Sequence, residues 1–369
     1  MMSQKHLVLL NPGPVNVSKH VRQHMEDIGD MCHREDDFFK IVSDCHDCIL
    51  ELAEAKPKDY VVIFLTCSGT GANEAMVSHL QNWHTTIVNN GIYGERLCDL
   101  KGTYSGIELH DGLTTEDFVA IKTYKNPFQE SKHNPRVFFS GEPYTLEKTL
   151  VVHHETSIGY LDSLERYTQT QLFVDAISSF GVHKIDLYKH NVGALTCTAN
   201  KCIHGLPGIS FIICKKSWLK ELKEWKDYQK VPYYFDLLRY YDDFKKGTFP
   251  FTPATHTFVA LWAALNELHT ETIDGRLMRY QQRADAIRKE MQALGYAMVI
   301  PERDCSSCLT AFYLKDKPYK TLHDFLHARG FVIYAGQGKM SEKCFRIANM
   351  GEITMNDVDK LIETFKELG

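Results

Sequence analysis

Short continuous apolar runs punctuate the first two-thirds of the chain: Tyr60–Leu65, Thr86–Asn89, Thr149–His153, Gln171–Val174, Val192–Thr198 and Ile209–Cys214. Helix-like segments such as Ala72–Gln81 and Leu161–Thr170 lie between several of them. An apolar run too short for a helix, with no polar alternation, reads as a strand covered on both faces. Strands of that kind spaced by helices predict an α/β fold built on a mainly parallel sheet with helices on both sides. Ligands of such sheets bind outside the carboxyl ends of the strands. Residues at those ends therefore matter most.

The pattern changes after Lys215. A charged, aromatic segment, 215–246, leads into Phe249-Pro250-Phe251-Thr252-Pro253. Beyond it the sequence predicts helices over Phe258–Leu268, Leu277–Leu294 and Thr321–Arg329, with strands over Leu309–Tyr313 and Phe331–Tyr334. In a final helix Val358, Leu361, Ile362, Phe365 and Leu368 recur at helical spacing. This reads as a smaller α+β domain.

A chain of 369 residues can bury a sizeable core, and 44% hydrophobic with 24% charged residues is ordinary for a soluble protein. The net charge of -5, with no long basic run, argues against a nucleic-acid partner. No apolar stretch reaches the length of a membrane span. The start, MMSQKHLVLLNPGPV, has an apolar core too short for a secretory signal and is broken by Pro12 and Pro14. A cytoplasmic protein is expected. Eleven cysteines in so long a chain are not a disulfide scaffold. Cys45 and Cys48 fall on the apolar stripe of a helix, which favours packing. Cys305 and Cys308 stand in a loop or strand start, where a redox or metal role is the weaker reading; neither pair has the partner spacing of a zinc site, and no metal is expected.

Three features at predicted strand ends carry chemistry. Ser68-Gly69-Thr70-Gly71 follows the strand 60–65 and opens a helix, where unpaired N–H groups and the helix dipole suit an anion. A plain tight turn is the alternative. Asp175 ends the strand 171–174 and points a carboxylate at the crevice, or it serves as a turn residue or N-cap. Lys201 follows the strand 192–198 in the turn CTANKCIHGLPG. A lysine kept from water loses its proton more readily and can attack a carbonyl; a lysine snorkelling to the surface is the alternative. Together they match what pyridoxal phosphate requires. The cradle takes the phosphate, the lysine the aldehyde and the carboxylate the ring nitrogen.

The stretches LLNPGPV at 9–15, SGTGANEAM at 68–76, NNGIYGER at 89–96, HHETSIG at 153–159, VDAISSFG at 174–181, ANKCIHGLPG at 199–208, FTPATHT at 251–257 and CFRIANMGE at 344–352 lie in order along essentially the whole chain. In these the sequence resembles the class V pyridoxal-phosphate aminotransferases of fold type I. Within them it is similar to members that move an amino group between 2-aminoethylphosphonate and pyruvate. The resemblance implies a large cofactor-binding domain over 15–255, with a small domain formed by 256–369 and the N-terminal segment 1–14. It implies that Lys201 binds the cofactor covalently and then moves the proton, that Asp175 pairs with the ring nitrogen, and that Ile177 and Tyr93 cover the two ring faces. Thr156 would lie near the ring hydroxyl. Ser68, Gly69, Thr70 and Asn200 would hold the phosphate. Thr252 and Thr255 would reach it from a neighbouring subunit, which makes a homodimer with a shared site. Arg346 would anchor the anionic end of the substrate.

His33-Arg34-Glu35 departs from many relatives that degrade aminophosphonates, which carry a tryptophan followed by acids. Arg34 is either a second anion-binding group or a surface arginine paired with Glu35 or Asp36. Two other readings stay open. One is an alanine–glyoxylate or serine–pyruvate type aminotransferase. The other is a cysteine desulfurase on the same fold, which would need Cys305 or Cys308 as a reactive thiol. A binding protein without catalysis would be expected to lack Asp175 or Lys201, and both are present.

Overall fold

The computed structural model describes residues 7–81, 85–89, 92–104, 110–115, 119–124, 149–153, 171–302 and 305–368. In chain order the strands are β1 (Val8–Leu9), β2 (Tyr60–Leu65), β3 (Thr85–Asn89), β4 (His110–Thr115), β5 (Val119–Tyr124), β6 (Thr149–His153), β7 (Gln171–Asp175), β8 (Val192–Thr198), β9 (Ser210–Lys215), β10 (Leu309–Tyr313), β11 (Phe331–Val332), β12 (Tyr334–Ala335) and β13 (Cys344–Ala348). The predicted helix Leu161–Thr170 lies outside the described residues.

The large sheet has the order β2-β9-β8-β7-β6-β3-β5-β4. Its centre, β8-β7-β6-β3, is parallel. β9 runs against both β2 and β8, and β5 runs against both β3 and β4. The sheet is therefore mixed, with a parallel middle. Alternation along each strand feeds two cores. Tyr60, Val62 and Phe64 of β2, with Phe211 and Ile213 of β9, pack with the helices Asp36–Leu52 and Thr255–Glu271. Val61, Ile63 and Leu65, with Ile212 and Cys214, pack on the other face with the helices Gly69–Ser78 and Lys216–Glu224. Burial on both faces is why these runs are apolar at successive positions.

The last third forms a three-stranded sheet, β10-β13-β12, covered by Ile287, Leu326, Leu361 and Phe365. The N-terminal segment joins it: β1 pairs in parallel with β11, and Leu10 is buried in that same cluster. The run expected as one strand over 331–334 is two pieces. β11 pairs with β1 and β12 with β13, and the chain changes sheets at the buried Ile333. The helix expected from Ala72 starts three residues earlier, because the glycine turn is itself its first turn. Cys45 lies on the buried face of its helix, and the half-buried Cys48 packs against the same core. No helix among the described residues is long and apolar enough to cross a membrane.

Candidate active site

The strand ends come to one edge of the large sheet. Asp175, the last residue of β7, stands opposite His153 of β6 and Thr196 of β8. Ser210, the first residue of β9, stands opposite both Leu65 of β2 and Thr198 of β8. Because β8 and β9 are antiparallel, their connection needs no crossover helix. The lysine turn is that connection, closed by Ala199 N–H on Ile209 O at 3.0 Å and Gly205 N–H on Ala199 O at 2.8 Å. This explains why Lys201 sits at the carboxyl edge and not on a solvated helix.

Lys201 Nζ donates to the hydroxyl of the buried Ser178 at 2.5 Å and lies 5.7 Å from the centre of the Tyr93 ring. Gly13 covers its stem. A Cβ at Gly13 would stand 3.2 Å from Lys201 Cγ. Asp175 is 2% exposed. Its Oδ1 accepts from Ile177 N–H at 3.0 Å, and its Oδ2 accepts from Asn73 Nδ2 at 2.7 Å. Asp175 is thus a turn residue and a crevice residue at once, and no helix starts after it.

The turn 68–71 fits an anion. Ser68 is the N-cap of the helix Gly69–Ser78, yet its hydroxyl makes no capping bond. The N–H groups of Gly71 and Ala72 turn back to Ser68 O, whereas those of Gly69 and Thr70 precede any partner the helix can offer. Gly69 has no room for a side chain: a Cβ there would meet Ile177 Cδ1 at 2.7 Å. That contact brings the ring-covering candidate Ile177 directly onto the cradle. Asn200 joins through a chain of hydroxyls. Ser210 donates to Thr198 Oγ1 at 3.0 Å, and Thr198 lies 2.8 Å from Asn200 Oδ1 as its donor. The Asn200 amide protons are then what it can offer an anion. Arg96 donates to Thr70 Oγ1 at 3.2 Å and lies 5.2 Å from the Tyr93 ring centre.

The C-terminal sheet supplies the other wall. Gln337 Nε2 donates to the Tyr93 hydroxyl at 3.2 Å. Arg346, in β13, donates from Nε to Ala335 O at 2.8 Å, and among the described residues its two Nη groups make no hydrogen bond. The remaining predicted residues stand otherwise. Thr252 is exposed, and Ala254, not Thr252, is the N-cap of the helix that begins at Thr255. Ala254 N–H donates to Thr66 Oγ1 at 3.2 Å, so this stretch packs beside the cradle strand of its own chain. Arg34 is exposed in the turn ahead of the helix Asp36–Leu52, and among the described residues no hydrogen bond or ion pair ties it to the strand-end cluster. Thr156 lies outside the described residues.

Asn73, Ser178, Gln337, Arg96 and Gly13 contact the cluster but carry no signal of their own in the sequence. Their contacts span up to 244 positions. The quoted stretches LLNPGPV, SGTGANEAM, NNGIYGER and VDAISSFG hint that the segments of Gly13, Asn73, Arg96 and Ser178 matter, and none of them covers Gln337. Cys308 is buried 3.9 Å from Cys202 Sγ, which lies against Met350. Hydrogen bonding with Cys308 and burial hold the Cys202 thiol well above its usual range. A buried, neutral thiol is a poor nucleophile.

The family described as aminotransferase class-V matches residues 148–361. A protein named 2-aminoethylphosphonate–pyruvate transaminase from Salmonella heidelberg (strain SL476) is 31% identical over 383 aligned residues, covering 99% of this chain and 98% of its own. One of the same name from Klebsiella pneumoniae is 31% identical, with 98% of this chain and 97% of its own covered. Among solved structures, an alanine–glyoxylate aminotransferase from Nostoc sp. superposes with a TM-score of 0.80 at 18% identity, over 100% of this chain and 96% of that one. A Thermus thermophilus aspartate aminotransferase of subgroup IV gives 0.77 at 22% identity, over 98% of both chains. The likeness to the transaminases runs end to end, and the fold is that of the fold type I pyridoxal-phosphate aminotransferases: this chain belongs to the class V aminotransferase family.

Proposed function

We propose that the chain binds pyridoxal phosphate on Lys201 and transfers the amino group between 2-aminoethylphosphonate and pyruvate, giving phosphonoacetaldehyde and alanine. The observation that carries this is the convergence of Lys201, Asp175 and the Ser68–Thr70 cradle on one sheet edge, which Gln337, in the loop between β12 and β13, reaches through Tyr93. When bound, the cofactor supplies an electron sink for the carbon that loses its proton. Everything else falls to the chain's own residues. Gly69 and Thr70 N–H groups with Ser68 and Asn200 hold the phosphate. Asp175 faces the ring nitrogen, and Ile177 and Tyr93 enclose the ring. Lys201 Nζ, steered by the Ser178 hydroxyl, would take the proton from the amine-bearing carbon and deliver it within the same half-reaction to the cofactor carbon that carried the aldehyde, and the second substrate would run that transfer in reverse. The two Nη groups of Arg346 suit a phosphonate and a carboxylate alike. One arginine can therefore serve both substrates in turn, as two half-reactions on one site require. The exposed Thr252 and half-buried Thr255 are assigned to the neighbouring phosphate of a homodimer.

The purified protein should be yellow, and borohydride should fix the cofactor to Lys201. Lys201→Ala should lose that linkage and at least about a hundredfold in rate. A half-reaction screen should bleach the colour with 2-aminoethylphosphonate and with alanine. Bleaching by alanine alone, with turnover on glyoxylate, would move the assignment to the alanine–glyoxylate type. A colourless protein, or Lys201→Ala with normal turnover, would remove it altogether.

A further inference from the structure

The helix Gly69–Ser78 delivers the anion cradle with its first residues, but it also carries an amide into the core. Asn73 is 4% exposed, among the fully buried Ala72, Ala75 and Met76. A buried amide must find acceptors and donors or cost free energy. Asn73 finds them in two strands. Its Nδ2 donates to Asp175 Oδ2 at 2.7 Å, and its Oδ1 accepts from the Thr196 hydroxyl at 2.5 Å. Thr196 is the residue opposite Asp175 in the β7–β8 register, and it is fully buried too.

We propose that Asn73 is a positioning residue for the Asp175 carboxylate, and that Thr196 fixes which way its amide faces. The proposal rests on reading Asp175 as the partner of the cofactor's ring nitrogen. The Thr196 hydroxyl has one proton and two acceptors in reach, Asn73 Oδ1 at 2.5 Å and Val174 O at 3.3 Å. The shorter bond takes the proton. The amide oxygen is thereby held towards Thr196 and the NH2 group towards the carboxylate. Turned round, the amide oxygen would face a carboxylate oxygen with no proton between them. Ile177 N–H secures the other oxygen at 3.0 Å. These two donors, one from Asn73 and one from Ile177, keep the carboxylate plane from swinging. The direction in which the carboxylate would meet a ring N–H is thereby set, and how firmly that proton is held sets how strongly the ring would withdraw electrons. Leucine at 73 would keep the branching of the side chain, with larger methyl groups, and lose both bonds.

The test uses the holoenzyme and the variants Asn73→Leu, Thr196→Val and Thr196→Ser. Three quantities are read: the pH midpoint of the cofactor's visible absorption change, kcat and KM, and the thermal midpoint of the cofactor-free protein. Asn73→Leu should move the absorption midpoint upward by about half a pH unit or more. It should lower kcat on the order of tenfold to a hundredfold with little change in KM. Thr196→Val should shift both in the same direction by less, and Thr196→Ser, which keeps the hydroxyl, should restore them. A lowered thermal midpoint with unmoved absorption and kcat in Asn73→Leu would make Asn73 a packing residue only, and overturn the proposal. If Asn73→Leu fails to fold, an unmoved absorption midpoint in Thr196→Val overturns it equally. A wild-type protein that takes up no cofactor on Lys201 would instead sink the functional reading, so the two failures are told apart.

Discussion

Gly13 lies in the left-handed region, with φ of +116°, and its Cα faces the stem of Lys201. A side chain here meets two costs. The backbone is strained for any residue with a Cβ, and that Cβ would press on Lys201 Cγ at 3.2 Å with Asn200 O and Lys201 Cε both at 3.5 Å. Gly13→Ala should destabilise the fold by about 1–3 kcal/mol and slow turnover by displacing Nζ from Ser178. Denaturant midpoints and single-turnover absorbance measure the two effects separately; unchanged turnover would mean that Lys201 does not lean on this segment. At this scale the sequence exposes some positions at the strand ends and hides others. Asp175 and Lys201 are legible because an ionisable group at the end of an apolar strand breaks a local pattern. Asn73 is not, because a single polar residue inside a helix looks like a solvated face until β7, 102 positions away, is brought against it. Ser178 reads as an ordinary turn serine until the β8–β9 connection folds Lys201 onto it.

Arg346 depends on the turn between β12 and β13. Gly336 N–H donates to Cys344 O at 2.8 Å, and a Cβ on Gly336 would run into Met340 O and stand 2.6 Å from Cys344 Sγ. The obstruction includes backbone, so the turn would have to open. Gly336→Ala should therefore shift Gln337 off Tyr93 and Ala335 O off Arg346 Nε. The expected result is a rise in KM on the order of tenfold, for both the amine and the oxo acid, with the cofactor's absorption unchanged. A lost or shifted absorption band with normal KM would show that this turn supports the cofactor and not the substrate anchor. The strands β2, β7, β8 and β9 were legible as apolar runs because both of their faces are buried. The pair β4–β5 was not, since HDGLTT offers neither an apolar run nor a clean alternation. Nor was the break at Ile333, because burial makes 331–334 look continuous while hydrogen bonding splits it between two sheets.

Across the whole molecule, buried titratable groups set how stability follows pH. His204, His183 and His46 are all held below their ordinary 6.5, chiefly by burial, His183 to about 4. Each takes up a proton on unfolding once the pH falls below 6.5, so stability is full above that value and declines towards acid. Burial raises the thiols of Cys45, Cys197 and Cys214 above their ordinary 9.0, and hydrogen bonding with Cys308 adds Cys202. Their contribution is full below 9.0 and is lost as unfolded thiols ionise above it. Lys101 acts in the opposite sense. It is 1% exposed, donates to Leu80 O, and burial lowers it from 10.5 to about 7. Below about pH 7 the folded state must carry its buried charge, and stability recovers as the pH rises from there towards 10.5. One lysine cannot offset the thiols above 9.0, so the stability curve should be a dome peaking between 6.5 and 9.0. Between pH 7 and 9 the wild-type protein should gain up to about 1.4 kcal/mol per pH unit from Lys101. Lys101→Met should be flatter over that interval while keeping the acid limb, because the histidines are untouched. Urea unfolding of both proteins from pH 5 to 10 checks this, and parallel traces between pH 7 and 9 would show that the buried amine keeps its proton in the folded state.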